Sequence, residues 1–286
     1  KIPTPLLLDK IVTILDDIYA QMAQIKDSDI RGDVYEYLLS KISQSGLNGQ
    51  FRTPRHIIRM MVELMKPTLK DVICDPAMGS AGFIVESAKY VAENYRTELM
   101  RPENLKYYRS QMFNGFDTDQ TMLRIGAMNM MLHGVEAPNI TWMDSLSEDN
   151  THREEYSLIL ANPPYRRAGE GRGAAEPLCD IARFERAGTI LDFCRAGARL
   201  LTEDGDFCLV FPISRRQERY GAIWEVGLYP REEVTVLPYP GGTAKLFLLR
   251  ATRAAGPLLS HRITLERHRG ASRPRPPAPS TVTDAY

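Results

Sequence analysis

Twelve consecutive residues, Val72-Ile-Cys-Asp-Pro-Ala-Met-Gly-Ser-Ala-Gly-Phe83, constrain the fold of this 286-residue chain more than any other stretch. A short β-branched run ends at Asp75, a glycine-containing turn follows, and a helical pattern opens near Ala81. Glycines at 79 and 82 let the backbone pass close to a ligand without interference from a Cβ. The helix that follows offers free N–H groups at the carboxyl end of the strand, where open parallel sheets bind ligands. The spacing is not G-x-G-x-x-G, which separates this turn from the dinucleotide-binding fingerprint. Strand and helix patterns go on alternating downstream, and this predicts an α/β fold built on a parallel sheet closed by one reversed strand.

A second apolar run, Tyr156-Ser-Leu-Ile-Leu-Ala161, stops at Asn162-Pro163-Pro164-Tyr165. The prolines alone would fit a strand followed by a stiffened turn. Together, however, the four residues gather a side-chain amide oxygen, a proline carbonyl and a flat ring at one point. That set suits holding a planar amide or amino nitrogen while a methyl group is delivered to it. Between the two runs, Phe113-Asn-Gly-Phe-Asp117 reads as another strand, and an acid at its carboxyl end can accept both hydroxyls of a ribose. Asp119 is the expected N-cap of a helix from Gln120 to His133. Asn139 to Asp144 reads as the third strand, and locally Asp144 can cap the turn made with Ser145 and Leu146.

Residues 46 to 165 carry a resemblance to a known family. Asn162-Pro-Pro-Tyr165 resembles motif IV of the amino-methyltransferases, which modify adenine N6, cytosine N4 or a glutamine side chain. Asp75-Pro-Ala-x-Gly-Ser-x-Gly-Phe83 resembles motif I of S-adenosylmethionine (SAM) enzymes. Gly49-Gln-Phe-Arg-Thr-Pro-Arg55 is similar to the Gly-Gln-Phe-Tyr-Thr-Pro-Arg signature of the modification subunits of type I restriction-modification systems, and the order of the three motifs is that of γ-class DNA adenine methyltransferases. The resemblance implies a Rossmann-like SAM-dependent fold, with a mostly parallel seven-stranded sheet ending in an antiparallel strand and a short helical segment ahead of it. It implies transfer of a methyl group from SAM to adenine N6 in DNA, with Asn162, Pro163, Pro164 and Tyr165 as the catalytic set. It further implies cofactor contacts at Gln50, Phe51, Thr53, Pro54, Arg55, Asp75, Ala77, Gly79, Ser80, Ala81, Gly82, Asp117 and Asp144. Arg52 departs from the signature, standing where the family has an aromatic. Taken locally, Thr53-Pro54 is a helix start, with an N-cap threonine followed by a first-turn proline.

The second half is built from different material. Residues 1–165 hold 8 Lys and 9 Arg, whereas 166–286 hold 1 Lys and 18 Arg. From Asn162 onward the Arg- and Gly-rich stretch and the segment Arg250-Ala-Thr-Arg-Ala-Ala-Gly256 resemble, loosely, small adenine-N6 methyltransferases acting on a valine tRNA. This suggests a hybrid chain joined at the shared Asn-Pro-Pro-Tyr motif, with one divergent gene as the other explanation. Net charge is zero overall, but the basic excess follows the catalytic loop, where a nucleic acid would lie. Cysteines 74, 179, 194 and 208 form no C-x-x-C pair and read as reduced thiols of a cytoplasmic protein, with no metal site. No run is apolar and long enough to cross a membrane, and no signal peptide is evident.

The expected organisation is a helical segment and linker over 1–48, a catalytic domain over 49–255, and a basic Pro/Arg-rich tail over 256–286, extended or disordered. Helical spacing runs from Pro5 to Ile25 and from Asp33 to Ile42. Downstream, a helix is expected over Thr189 to Leu201, a strand over Asp206 to Phe211, and an antiparallel hairpin from Glu233 to Tyr239 and Lys245 to Ala251. Residues 166–186 have the position and composition of a loop over a target base. The partners implied are DNA, a separate specificity subunit and a restriction subunit. Three other readings stand beside this one: a tRNA adenine-N6 methyltransferase, a glutamine methyltransferase, and a SAM-binding module without activity.

Overall fold

The computed structural model describes residues 4–22, 32, 34, 35, 37–39, 53–163 and 188–265. Its frame is a sheet of eight strands in the order β3-β2-β1-β4-β5-β7-β6-β8. These are β1 (Ile73–Asp75), β2 (Phe113–Asp117), β3 (Asn139–Trp142), β4 (Tyr156–Ala161), β5 (Leu201–Pro212), β6 (Tyr229–Leu237), β7 (Leu246–Thr252) and β8 (Leu259–Thr264). All neighbours pair in parallel except β7, which runs antiparallel to both β5 and β6. The central strands β1 and β4 are apolar along almost their whole length because both faces of the sheet are covered by helices.

One face is covered by α2 (Arg55–Met65) and α3 (Gly82–Asn94), whose Ile57, Met61, Val62, Ile84 and Val85 form a core with Ile73, Leu158 and Val210. Along the same stretch of chain run α4 (Pro102–Ser110) and α5 (Gln120–Leu132). On the other face α6 (Ile190–Leu200) and α7 (Arg216–Glu225) bury Phe193, Cys194 and Ile223 against Ile159, Phe207 and Leu209. The N-terminal helix α1 (Pro5–Met22) comes first in the chain. Residues 34, 35 and 37–39 are also helical. That short segment lies on α5, with the Tyr35 hydroxyl donating to the Ile125 carbonyl at 3.4 Å. It approaches so closely that a Cβ on Gly32 would meet the His133 ring at 2.2 Å.

Most expectations match this frame. Asp119 caps α5, its carboxylate accepting from Thr121 N at 2.7 Å. The Thr189 hydroxyl and the Asp192 side chain form a reciprocal capping box at the start of α6. The hairpin pairs β6 and β7 in register Val234↔Leu248. Two expectations need correction. The sheet has eight strands among the described residues, not seven: β8 adds in parallel to β6, with Val234 level with His261, inside the segment expected to trail away as a tail. And α2 starts one residue later than the local rule requires. Pro54, at φ −57° and ψ 135°, is its N-cap, and no side chain caps the helix. The Thr53 hydroxyl is engaged elsewhere.

Candidate active site

The strand order reverses between β1 and β4. The chain leaves β1 for β2 and β3 on one side, then returns to place β4 on the other. Crevices open at such reversals, beyond the carboxyl ends of the strands. Both sequence motifs end there. Register Ile73↔Leu158 and Cys74↔Ile159 sets the Asp75 turn beside the exit of β4, where Asn162 emerges.

After β1 the chain turns through Pro76 to Ala81. Gly79 has φ +51° and nothing within 4 Å of the place a Cβ would occupy. Ala81 is also left-handed, at φ +63°, a conformation that costs a non-glycine residue about 1 kcal/mol. It is fully buried and serves as the N-cap of α3. The turn is pinned from both sides. Asp75 accepts from Ala77 N at 3.0 Å, and Asp117, at the end of β2, accepts from Gly79 N at 2.8 Å and from Asp119 N at 2.8 Å. A carboxylate offers about four acceptor sites, so Asp117 retains capacity to accept from a hydroxyl.

Asp75 is buried and Asp117 half-buried, and their like charges interact. Burial pushes the Asp75 pKa up to about 7, against the Ala77 N–H bond, and nearby Asp117 adds to the rise. Burial also raises Asp117, partly offset by the N–H groups of Asp119 and Gly79. A cationic ligand would relieve both. An open turn at a left-handed glycine, a helix N-terminus and a half-buried acid at the tip of β2 fit SAM, which carries a sulfonium, an ammonium group and a ribose diol.

At the end of β4, Asn162 is half-buried and Pro163 buried. The Asn162 amide nitrogen donates to the Thr53 hydroxyl at 2.8 Å across 109 residues of sequence. Thr53 therefore meets Asn162, with Pro54 next in the chain and Arg55 opening α2. Asp144 is exposed, and one of its oxygens accepts from Leu146 N at 2.9 Å. That bond is the turn-capping one. Gln50, Phe51, Pro164, Tyr165 and the 166–186 loop lie outside the described residues.

Three contributors escaped sequence reasoning. Met78, in the turn, is buried between two glycines: a Cβ on Gly115 would stand 2.6 Å from its sulfur, and one on Gly126 would stand 2.4 Å from its methyl group. Asn129, one turn after Gly126 on α5, donates to the Ser80 carbonyl at 2.9 Å. The signal for both was a small and a polar residue three apart, on one face of an otherwise apolar helix. Trp142, level with Asp117 in the sheet, donates from its indole to the Thr118 carbonyl at 2.8 Å and leaves most of its ring exposed. Elsewhere the thiols are inert. Burial raises Cys194 to about 11 and Cys208 to about 12 and pushes the Cys74 thiol well up, while Cys179 is outside the described residues. Among the described residues no three His, Cys, Asp or Glu side chains are grouped to hold a metal ion, and no helix is long and apolar enough to cross a membrane.

Comparison with known proteins decides the family. The N-6 DNA Methylase family model matches residues 26–190, more than half of the chain. The chain belongs to the N-6 DNA Methylase family. It is 31% identical over 161 residues to the type I restriction enzyme EcoEI methylase subunit of Escherichia coli, covering 56% of this chain and 32% of that protein. To the EcoKI methylase subunit of Escherichia coli strain K12 it is 28% identical over 173 residues, covering 57% and 33%. Among solved structures, the EcoKI M protein superposes with a TM-score of 0.55 at 23% identity, covering 73% of this chain and 45% of that one. A chain from a structure of type I restriction-modification complex assembly gives a TM-score of 0.61 at 22% identity, covering 87% and 53%. This family member thus spans about a third of the length of the curated relatives it matches. The family match runs straight across residue 162, and the sheet is continuous from β4 to β5. A junction between two parents at Asn162 finds no support there.

Proposed function

We propose that this family member transfers the methyl group of SAM to the N6 amine of adenine in DNA, as the modification component of a type I restriction-modification system. The observation that carries the reading is the hydrogen bond from Asn162 to Thr53. With the amide nitrogen engaged there, the amide oxygen is the end left to accept from a target amine, on the strand that pairs with the one leading into the turn suited to SAM.

Bound SAM supplies an electrophilic methyl group. What the chain adds is geometry. The exocyclic nitrogen of adenine is a poor nucleophile because its lone pair is delocalised into the ring. The Asn162 oxygen accepts one N–H of that amine and the Pro163 carbonyl accepts the other, which favours a pyramidal nitrogen with its lone pair directed at the donor. Positioning then supplies much of the acceleration. The target base leaves its stack to enter, and Tyr165 is the aromatic that the motif offers for stacking on it. The proton becomes acidic once the nitrogen has been methylated, so no dedicated base is required. His152, the histidine nearest in sequence, is occupied with Glu155 at 2.7 Å in a loop before β4.

Curated relatives are named as methylase subunits of type I restriction enzymes, and one similar solved chain comes from work titled on complex assembly of a type I system. On that basis a separate specificity subunit is proposed to choose the DNA sequence, with a restriction subunit as a further partner. Asn162→Ala tests the assignment. Transfer to DNA should fall by at least a hundredfold, the scale of losing one hydrogen-bonding group that acts on the transition state. SAM affinity, measured by calorimetry, should stay within about twofold. A mutant that keeps its activity, or loses it by losing SAM, sinks the role given to Asn162.

A further inference from the structure

Asn129 stands in the last turn of α5 and is fully buried. A buried asparagine costs stability unless its amide is bonded, so what it bonds is informative. Its amide nitrogen donates to the Ser80 carbonyl at 2.9 Å, across 49 residues of sequence. We propose that Asn129 is a positioning residue: it holds the turn between β1 and α3 in the shape that receives the cofactor. This rests on the SAM reading given above.

The turn does not hold itself. Gly79 and Ala81 are both left-handed, and at φ +63° that conformation is strained for an alanine. Ala81 is also the N-cap of α3, and no side chain caps that helix. Three bonds oppose relaxation. Asp117 accepts from Gly79 N at 2.8 Å, Met78 O accepts from Ala81 N at 2.7 Å, and Ser80 O takes the Asn129 amide. A peptide unit is planar, so fixing its carbonyl and its N–H fixes ψ of Ser80 and φ of Ala81 together. Of the three, Met78 belongs to the turn itself and Asp117 is the acid proposed to serve the ribose. Asn129 alone acts from a helix outside the crevice. The sense of its bond is unambiguous, because a carbonyl oxygen only accepts and the nitrogen end of the amide must face it. The helix carrying it is anchored. Met130, next in the chain, lies in the core, and the Asn129 carbonyl, left open at the helix end, accepts from His133 Nδ1 at 2.7 Å. The donor is therefore presented by a fixed element, as a preorganised site needs. Without it the Ser80–Ala81 peptide can relax, and part of the binding energy of SAM goes into restoring the turn.

The test compares the full chain with N129L, which keeps the branched shape and removes the donor, and with N129A. I223A, which opens a cavity under α7 on the other face of the sheet, is the control for destabilisation alone. Calorimetric SAM affinity should fall about tenfold in N129L and N129A, the equivalent of one hydrogen bond of average strength, and stay near the parent value in I223A. Methyl transfer to DNA at saturating SAM should stay near the parent rate in N129L, so that the defect appears in KM for SAM and not in kcat. A second readout needs no ligand. The amide nitrogen of Ala81 shares a peptide with the Ser80 carbonyl, and its resonance should shift in N129L and N129A but not in I223A. An unmoved Ala81 resonance, or unchanged SAM affinity in both Asn129 variants, would refute the positioning role. Equal loss of SAM affinity in I223A would refute it too, since general destabilisation would then account for the effect. If the Ala81 resonance shifts as expected while the parent binds no SAM, the hold on the turn stands and the cofactor reading fails instead.

Discussion

Gly126→Ala puts a number on how tightly α5 is packed against the SAM turn. A Cβ at 126 would lie 2.4 Å from the Met78 methyl carbon, 3.2 Å from the Gly79 carbonyl oxygen and 3.4 Å from the Ala81 Cβ. Carbon–carbon contacts settle at about 3.5–4.0 Å, so the Met78 methyl must retreat by about 1 Å. Its thioether is flexible, but room toward β2 is short, since a Cβ on Gly115 would stand only 2.6 Å from its sulfur. Overpacking of this kind costs about 1–3 kcal/mol. Replacing a mid-helix glycine by alanine returns about 1 kcal/mol. The net is a loss of about 0–2 kcal/mol in stability, smaller than most core substitutions. The functional effect should be larger than the structural one. The strain is relieved by moving Met78 and the Gly79–Ser80 backbone, and that backbone is the proposed cofactor cradle. SAM affinity should therefore fall by about tenfold, equivalent to ~1.4 kcal/mol. Calorimetric titration with SAM alongside thermal denaturation separates the two terms. In a Met78→Ala background the same substitution should become neutral or stabilising, since the blocking methyl is gone. If Gly126→Ala raises the melting point and leaves SAM affinity untouched, the slot between the two glycines does not control the turn.

Other consequences follow from the same structure. The buried Asp75 carboxyl holds its proton up to about pH 7, whereas in the unfolded chain it releases it near 4. The folded state thus binds the extra proton between those values, and stability should decline as pH rises from about 4 to about 7 and level off above. Denaturant unfolding across that window should show a shallower decline for Asp75→Asn, and an identical pH profile in the mutant would contradict the assignment. Arg219 is fully buried, its three guanidinium nitrogens have no hydrogen-bond partner, and burial lowers its pKa to about 10. Its compensation is the Phe211 ring, 3.8 Å from the guanidinium carbon, worth about 2 kcal/mol when desolvated. A buried, unneutralised cation costs more than that, so Arg219→Met should stabilise the chain by ~1–3 kcal/mol. A lower denaturation midpoint in that variant would show that the charge is needed where it lies.

Local chemistry was legible wherever a signal was both local and redundant. The strand, turn and helix around Asp75, the acid at the tip of β2 and the asparagine after β4 each follow from a run of residues whose order dictates its own geometry. What escaped depends on contacts between distant segments. Thr53 satisfies the local rule for an N-cap, but its hydroxyl finds Asn162 instead, and no local rule ranks a capping bond against a tertiary one. Gly126 is unremarkable in a helix until Met78 arrives against it. The eighth strand was hidden because β8 is exposed along most of its length. Without a buried face it has no alternation to detect, and only its pairing with β6 makes it a strand. Burial of Arg219 against Phe211 and Phe247 is a further product of packing that composition does not announce.

The most direct test of the central claim is transfer of labelled methyl from SAM to genomic DNA and to bulk tRNA in parallel, each digested to nucleosides and separated. Label in N6-methyldeoxyadenosine is the predicted result. Label in N6-methyladenosine from tRNA alone would contradict it and hand the choice of substrate to the arginine-rich second half of the chain.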